Sequence, residues 1–208
     1  MVLNATEALE YQLPAGLFGR KRMLRLLPEY LEFEDNDLQP GQFSRLSKAD
    51  IVDIRQEMTW IVWYRFSVGC EFKIDIQTKS KQVLEIRFRS YFSQNNASIR
   101  AFIKITDTLW EYYMQGKVDA YLHQLRQNQE VELLDVKMTQ HKVAIFTDEP
   151  PVPWQELQVK QYPNFYVLYQ QGQPDKHRQV YYFAWKSELL LTLIESMQEI
   201  GEDGPLAA

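Results

Sequence analysis

Three histidines, a single cysteine and one basic cluster are the side chains of this sequence best suited to chemistry. A metal site needs ligands at short, characteristic spacings, and no two of His123, His141 and His177 lie at one. Cys70 has no second cysteine to form a CxxC pair or a disulfide, which suits a reducing compartment. The 8 glycines are scattered, so no phosphate cradle forms, and no GxSxG elbow occurs. Carboxylates are plentiful, but none is set apart by its neighbours. No catalytic set, cofactor site or metal site is expected, and the chain reads as a non-enzyme.

The basic cluster is "GRKRMLR", residues 19–25, with Arg20, Lys21, Arg22 and Arg25. Each cation near an anionic membrane surface contributes about 1 kcal/mol, so these four are the candidate anionic-lipid contacts. The competing reading is an edge strand kept soluble by charge, and it is preferred. Aromatics interleave with arginines in "WIVWYRF" (60–66) and "EIRFRS" (85–90). Such a pattern can stack nucleic-acid bases. It also describes a sheet with core on one face and cross-strand pairs on the other.

Charge decides between those two. Residues 1–115 carry 15 basic and 15 acidic side chains, and residues 116–208 carry 8 and 13, so the net −5 lies in the second part. Neither part offers the positive field that a phosphate backbone needs, and no nucleic-acid partner is expected. The sheet reading therefore stands. Of 208 residues 45% are hydrophobic, enough for one large domain or two small ones. The first residues lack a basic stretch followed by an apolar one, so no secretory leader is expected in them. No apolar run approaches the roughly 20 residues of a membrane span. A cytoplasmic protein is expected.

The elements that must position these residues follow from periodicity. "RMLRLL" and "YLEF" flank Pro28-Glu29 as a hairpin. After a loop broken by Pro40-Gly41 come "IVDIRQ" and "TWIVWYRFSV", both strand-like. Then "EFKIDIQ" and "VLEIRFRS" form a hairpin around "TKSK". In it Phe72, Ile74 and Ile76 face a core, and Lys73, Asp75 and Gln77 face water. The period changes to 3.6 over Ile99, Phe102, Ile103, Thr106, Leu109, Trp110 and Tyr113, with Asn95 or Asn96 as cap and Gly116 as stop. The connector 117–130 reads as helix, since it has no Gly, Ser or Pro.

The second part repeats this order. "VELLDVKM" and "VAIFTD" pair around "TQHK"; "ELQVKQY", "NFYVLYQ" and "QVYYFAW" are strands; "SELLLTLIESMQEI" is a helix capped by Ser187. Leu26 and Leu31 correspond to Met138 and Val143, and Ile51 to Leu157; the change of offset falls in a loop, where length changes are tolerated. "LSKADI" (46–51) and "VPWQEL" (152–157) are the same phrase: apolar, turn-starter, two variable residues, acidic, apolar. Asp50 and Glu156 stand just before a strand, where a carboxylate can accept from backbone amides.

Those two phrases, each following a hairpin that carries "YLEF" or "VAIF", resemble bacterial pleckstrin-homology-like and GRAM-like domains in tandem. The resemblance runs from about Gly19 to Ile200. It implies an α+β fold of two units, each a bent antiparallel sheet or partly open barrel closed by a C-terminal helix. The first unit would span 1–116, with 1–18 as an N-terminal extension, and the second 131–208, with a short C-terminal tail. The resemblance implies a binding or scaffolding protein that recognises a protein or peptide partner in a groove between helix and sheet edge. Peripheral binding to anionic lipid is the alternative. Phosphoinositide-binding relatives carry Lys and Arg on the first hairpin loop, whereas here that loop is Pro28-Glu29, so their lipid specificity is not carried over. The sequence does not indicate an oligomeric state.

Overall fold

A computed structural model describes residues 8–14, 20–35, 39–92 and 95–202. The chain is α+β and divides into two compact units, residues 1–115 and 116–208. Among the described residues the strands form four separate antiparallel sheets and no closed barrel.

In the first unit, β1 (Leu9–Pro14), β2 (Lys21–Leu27), β3 (Tyr30–Phe33) and β4 (Ser44–Ser47) make a four-stranded meander. A 3-10 turn, Lys48–Asp50, leads into β5 (Ile51–Trp63), β6 (Phe66–Thr78) and β7 (Val83–Tyr91), a three-stranded meander in that order. β1 lies alongside β7. Helix α1 (Asn95–Leu109) follows, packed on β6 and β7. Stacked Phe72 and Phe88, 4.7 Å apart, meet Phe102 at 5.1 and 6.2 Å. Leu24, Leu26, Leu31, Phe33, Ile74, Ile76, Ile86 and Ile105 complete the buried set.

The second unit has the same order. β8 (Val131–Leu133), β9 (Val136–Met138), β10 (Lys142–Ala144) and β11 (Val152–Pro153) form a four-stranded sheet. A 3-10 turn, Trp154–Glu156, leads to β12 (Leu157–Gln161), β13 (Phe165–Gln170) and β14 (His177–Tyr181), then to helix α3 (Ser187–Glu202). The correspondence holds at the level of register. Leu26 pairs with Leu31 and Met138 with Val143, while Ile51 and Leu157 each open the fifth strand of their unit.

The structure departs from the sequence expectations where non-local packing decides. The N-terminal extension contains β1, whose alternating Leu9, Tyr11 and Leu13 pair with Leu26, Leu24 and Arg22. "TWIVWYRFSV" is not one strand: the chain turns at Tyr64–Arg65, and Tyr64 takes φ 57° with no glycine to advertise it. "VELLDVKM" likewise turns at Leu134 and Asp135, both at positive φ, as a two-residue hairpin turn requires. "VAIFTD" keeps only Lys142–Ala144 as strand, and "QVYYFAW" leaves the sheet after Tyr181.

Gly116 does not end the helix. α1 passes through a π-turn, Trp110–Met114, into α2 (Gln115–Arg126). Before the π-turn the buried stripe is Phe102, Ile105 and Leu109, with Ile103 exposed; within it three successive residues, Tyr112, Tyr113 and Met114, are buried, as the extra residue in that turn allows. Asn95 and Asn96 are already helical, so the capping position falls outside the described residues. Ser187 is also inside its helix. Leu190 N–H donates to the Lys186 carbonyl at 2.9 Å, which places Lys186, at φ 67°, at the cap. Asp75 is on the expected side of β6 but is buried, its Oδ2 accepting from Arg55 Nε at 2.9 Å and Lys73 Nζ at 3.0 Å.

Candidate binding surfaces

β5 and β6 each have 13 residues, whereas β7 has 9. The last pair of β6 with β7 is Gly69 with Tyr91. Beyond it only β5 and β6 continue, through Ile61–Gly69, Val62–Ser67 and Trp63–Phe66, with a bulge between Ile61 and Val62. Among the described residues no third strand and no helix covers this ribbon, and its apolar side chains are exposed: Val62 is 60% exposed, Trp63 70%, Tyr64 91% and Phe66 74%. Trp63 and Tyr64 meet edge-to-face at 6.3 Å. Nearer the sheet, Met58 opposite Phe72 and Trp60 opposite Cys70 are also exposed. The expectation that "WIVWYRF" is sheet core is therefore corrected. A comparison of strand lengths carried the signal, because a 13-residue strand outruns a 9-residue neighbour.

β5 is also the edge of its sheet. Among the described residues, no strand or helix is hydrogen-bonded to its outer backbone between Gln56 and Trp63. In the second unit β12, Leu157–Gln161, corresponds to Ile51–Arg55 and has no counterpart of this stretch. Gln198 Nε2 on α3 donates to the Leu157 carbonyl at 2.8 Å, and Gln161 Nε2 donates to Glu195 Oε1 at 3.0 Å.

The second unit has its own aromatic end. Tyr162 stacks on Phe165 at 4.8 Å, Phe165 meets Tyr181 at 5.9 Å, and Tyr181 stacks on Phe183 at 5.1 Å. Lys160 Nζ lies 5.3 Å from the Tyr162 ring centre. Elsewhere in this unit a cleft of about 240 Å³ is lined by Ile145, Phe146, Val152, Gln170, Gln173 and the Glu149–Lys176 pair. Lys176 Nζ is 2.9 Å from Glu149 Oε1, so the two charges satisfy each other. Arg178 ties the neighbouring loops to β14 through the carbonyls of Leu134 and Ile145.

The basic cluster is divided by the strand it occupies. Arg20 is ion-paired with Glu34. The Arg22 guanidinium donates to the Arg87 carbonyl and lies over Phe33. Arg25 Nε donates to Glu10 Oε1 at 2.8 Å, and its guanidinium covers Phe43. Lys21 is exposed. The histidines do not converge: His123 bonds Gln127 on α2, His141 sits in the β9–β10 turn, and His177 Nδ1 is 3.0 Å from the Pro174 carbonyl. Cys70 is fully buried, and burial pushes its thiol up, away from the nucleophilic thiolate. Among the described residues no group of three His, Cys, Asp or Glu could hold a metal ion. Among the same residues no helix is long and apolar enough to cross a membrane.

No known protein family, curated protein or solved structure matches the chain.

Proposed function

We propose that the chain is a non-enzymatic binding protein of two pleckstrin-homology-like units, the first of which recognises an extended peptide segment of a protein partner. The observation that carries this reading is the open edge of β5, with Met58 and Trp60 exposed beside it. An added strand gains main-chain hydrogen bonds along Gln56–Ile61, and the two side chains select the residues of the peptide that face them. An uncovered edge of this length without Pro or Lys is a pairing site unless the protein blocks it. β12 stops at Gln161, so the second unit has no strand equivalent to Gln56–Ile61. The repeated order of four strands, three strands and a helix supports the resemblance of both units to that fold. Anionic-lipid binding through Arg20, Lys21, Arg22 and Arg25 ranks second, because three of the four already have intramolecular acceptors.

Peptides selected by display against the whole chain test the proposal. Bound peptide slows hydrogen exchange of the Gln56–Ile61 amides, and Met58→Glu weakens binding at least fivefold. Selected peptides that protect another segment, or a Met58→Glu variant that binds as well as the original, would overturn it.

A further inference from the structure

We propose that the tip of the β5–β6 hairpin, Val62 to Phe66, inserts into the interfacial layer of an anionic phospholipid bilayer. This inference does not depend on the peptide reading, which concerns the edge of β5 rather than its end.

Reach is the first argument. The ribbon continues past the Gly69–Tyr91 pair through Val62–Ser67 and Trp63–Phe66 to the turn at Tyr64–Arg65. Three to four residues at about 3.3 Å each give roughly 10–13 Å. Elements lying in the membrane interface bury about 5–10 Å. The hydrocarbon core is about 30 Å thick, so the tip reaches the headgroup boundary and cannot span.

Side-chain chemistry is the second. Trp63 and Tyr64 each combine a large apolar ring with one polar hydrogen, the combination that concentrates at the interface between headgroups and acyl chains. Val62 and Phe66 have no polar atom beyond the backbone, and the Trp63–Phe66 pairing holds backbone groups of the tip in the ladder. The charge is complementary to an anionic surface. In a chain of net charge −5, the stretch from Met58 to Cys70 contains one charged side chain, Arg65, which is at the turn itself.

Recurrence is the third. In the second unit the turn between the fifth and sixth strands again presents an exposed aromatic, Tyr162, beside a cation, Lys160, and Tyr181 and Phe183, at and just after the end of β14, are exposed as well. Lys160 is the one charged side chain between Glu156 and Asp175. The two ends differ in shape, since β12 has 5 residues and β5 has 13, yet in each the turn sets an exposed aromatic near a cation, Tyr64 with Arg65 and Tyr162 with Lys160. A protein groove selects shape. A bilayer interface selects composition.

The test uses the full chain with sucrose-loaded vesicles of phosphatidylcholine, with and without phosphatidylglycerol. The expected result is co-sedimentation with the phosphatidylglycerol vesicles, together with a blue shift of tryptophan emission and its quenching by lipid brominated near the headgroup. Trp63→Ser with Phe66→Ser lowers the partition at least tenfold. Arg65→Gln lowers it several-fold on anionic vesicles only, and Lys21→Gln leaves it unchanged. These side chains are exposed, so circular dichroism and the melting temperature of the variants stay at the wild-type values. Absence of binding to either vesicle overturns the proposal, as does undiminished binding of the double variant. A wild-type dimer that the same two substitutions dissociate, with no vesicle binding, assigns the tip to a second copy of the chain and also overturns it.

Discussion

The backbone N–H of Gln171 donates to the carbonyl of Glu156 at 2.7 Å, and that of Lys79 donates to the carbonyl of Asp50 at 2.9 Å. Each bond ties the end of a sixth strand to the 3-10 turn before the fifth. The repeated acidic residues therefore act through their backbone carbonyls. The Glu156 carboxylate accepts from the Gln170 side chain rather than from a backbone amide, and in the first unit it is Ser47 Oγ that accepts from the Ala49 N–H. Asp50→Ala and Glu156→Ala should each change unfolding free energy by less than about 0.5 kcal/mol. Ile51→Ala and Leu157→Ala, at buried neighbours, should each lose about 2–5 kcal/mol. Urea titrations of the four variants measure both effects.

Glu34 is a buried carboxylate with three donors. Its Oε2 accepts from Met23 N–H at 2.9 Å, its Oε1 from Gly41 N–H at 2.6 Å, and Arg20 pairs with it. The bonds from Met23 and Gly41, more than the Arg20 charge, hold its carboxyl below the usual range. An unfolded glutamate takes up a proton near pH 4.3, before the folded one does. Its contribution is thus complete above that pH and is lost as pH falls from there through the lowered folded value. Glu34→Gln should flatten this acid limb of the stability curve. Glu34→Ala, which strands two amides, should cost about 1–3 kcal/mol at neutral pH.

Tyr113 and Tyr166 are buried phenols, and burial pushes both well above the ordinary tyrosine range. The Tyr113 hydroxyl reaches the carbonyls of Leu27 and Tyr30 at 2.6 and 2.9 Å, clasping the Pro28-Glu29 turn, and Tyr166 donates to the Ser187 carbonyl at 2.9 Å. Above about pH 10 the unfolded chain releases protons that the folded chain retains, so the stability from these groups is lost as pH rises past that value. Tyr113 and Tyr166 should ionise only with unfolding in an absorbance titration. Tyr113→Phe and Tyr166→Phe should each cost about 1 kcal/mol.

Gly69 ends the three-stranded part of the hairpin. A Cβ there would lie 2.5 Å from the Ser90 carbonyl oxygen and 3.0 Å from the Tyr91 ring. Gly69→Ala must push β7 away from β6 and should destabilise by about 1–3 kcal/mol. Faster hydrogen exchange at Ser90 and Tyr91 would accompany the loss, and wild-type exchange there would contradict it.

The sequence by itself determined the coarse order, hairpins and strands followed by a helix, and its repetition in the two parts. Both rest on local periodicity, which a strand or helix expresses wherever it lies. The matching pairs Leu26–Leu31 and Met138–Val143 were legible for that reason: alternation and a short turn set their register. Only the tertiary structure decided which faces would be covered. Asp75 is buried because Arg55 and Lys73 close over it, and Trp63 is exposed because β7 stops at Tyr91. Packing of α1 on β6 and β7 decided that Ile105 and not Ile103 is buried, and the helix continues past Gly116 as α2. Burial belongs to the partner as much as to the residue, and Arg55 and Tyr91 lie far along the chain from Asp75 and Trp63.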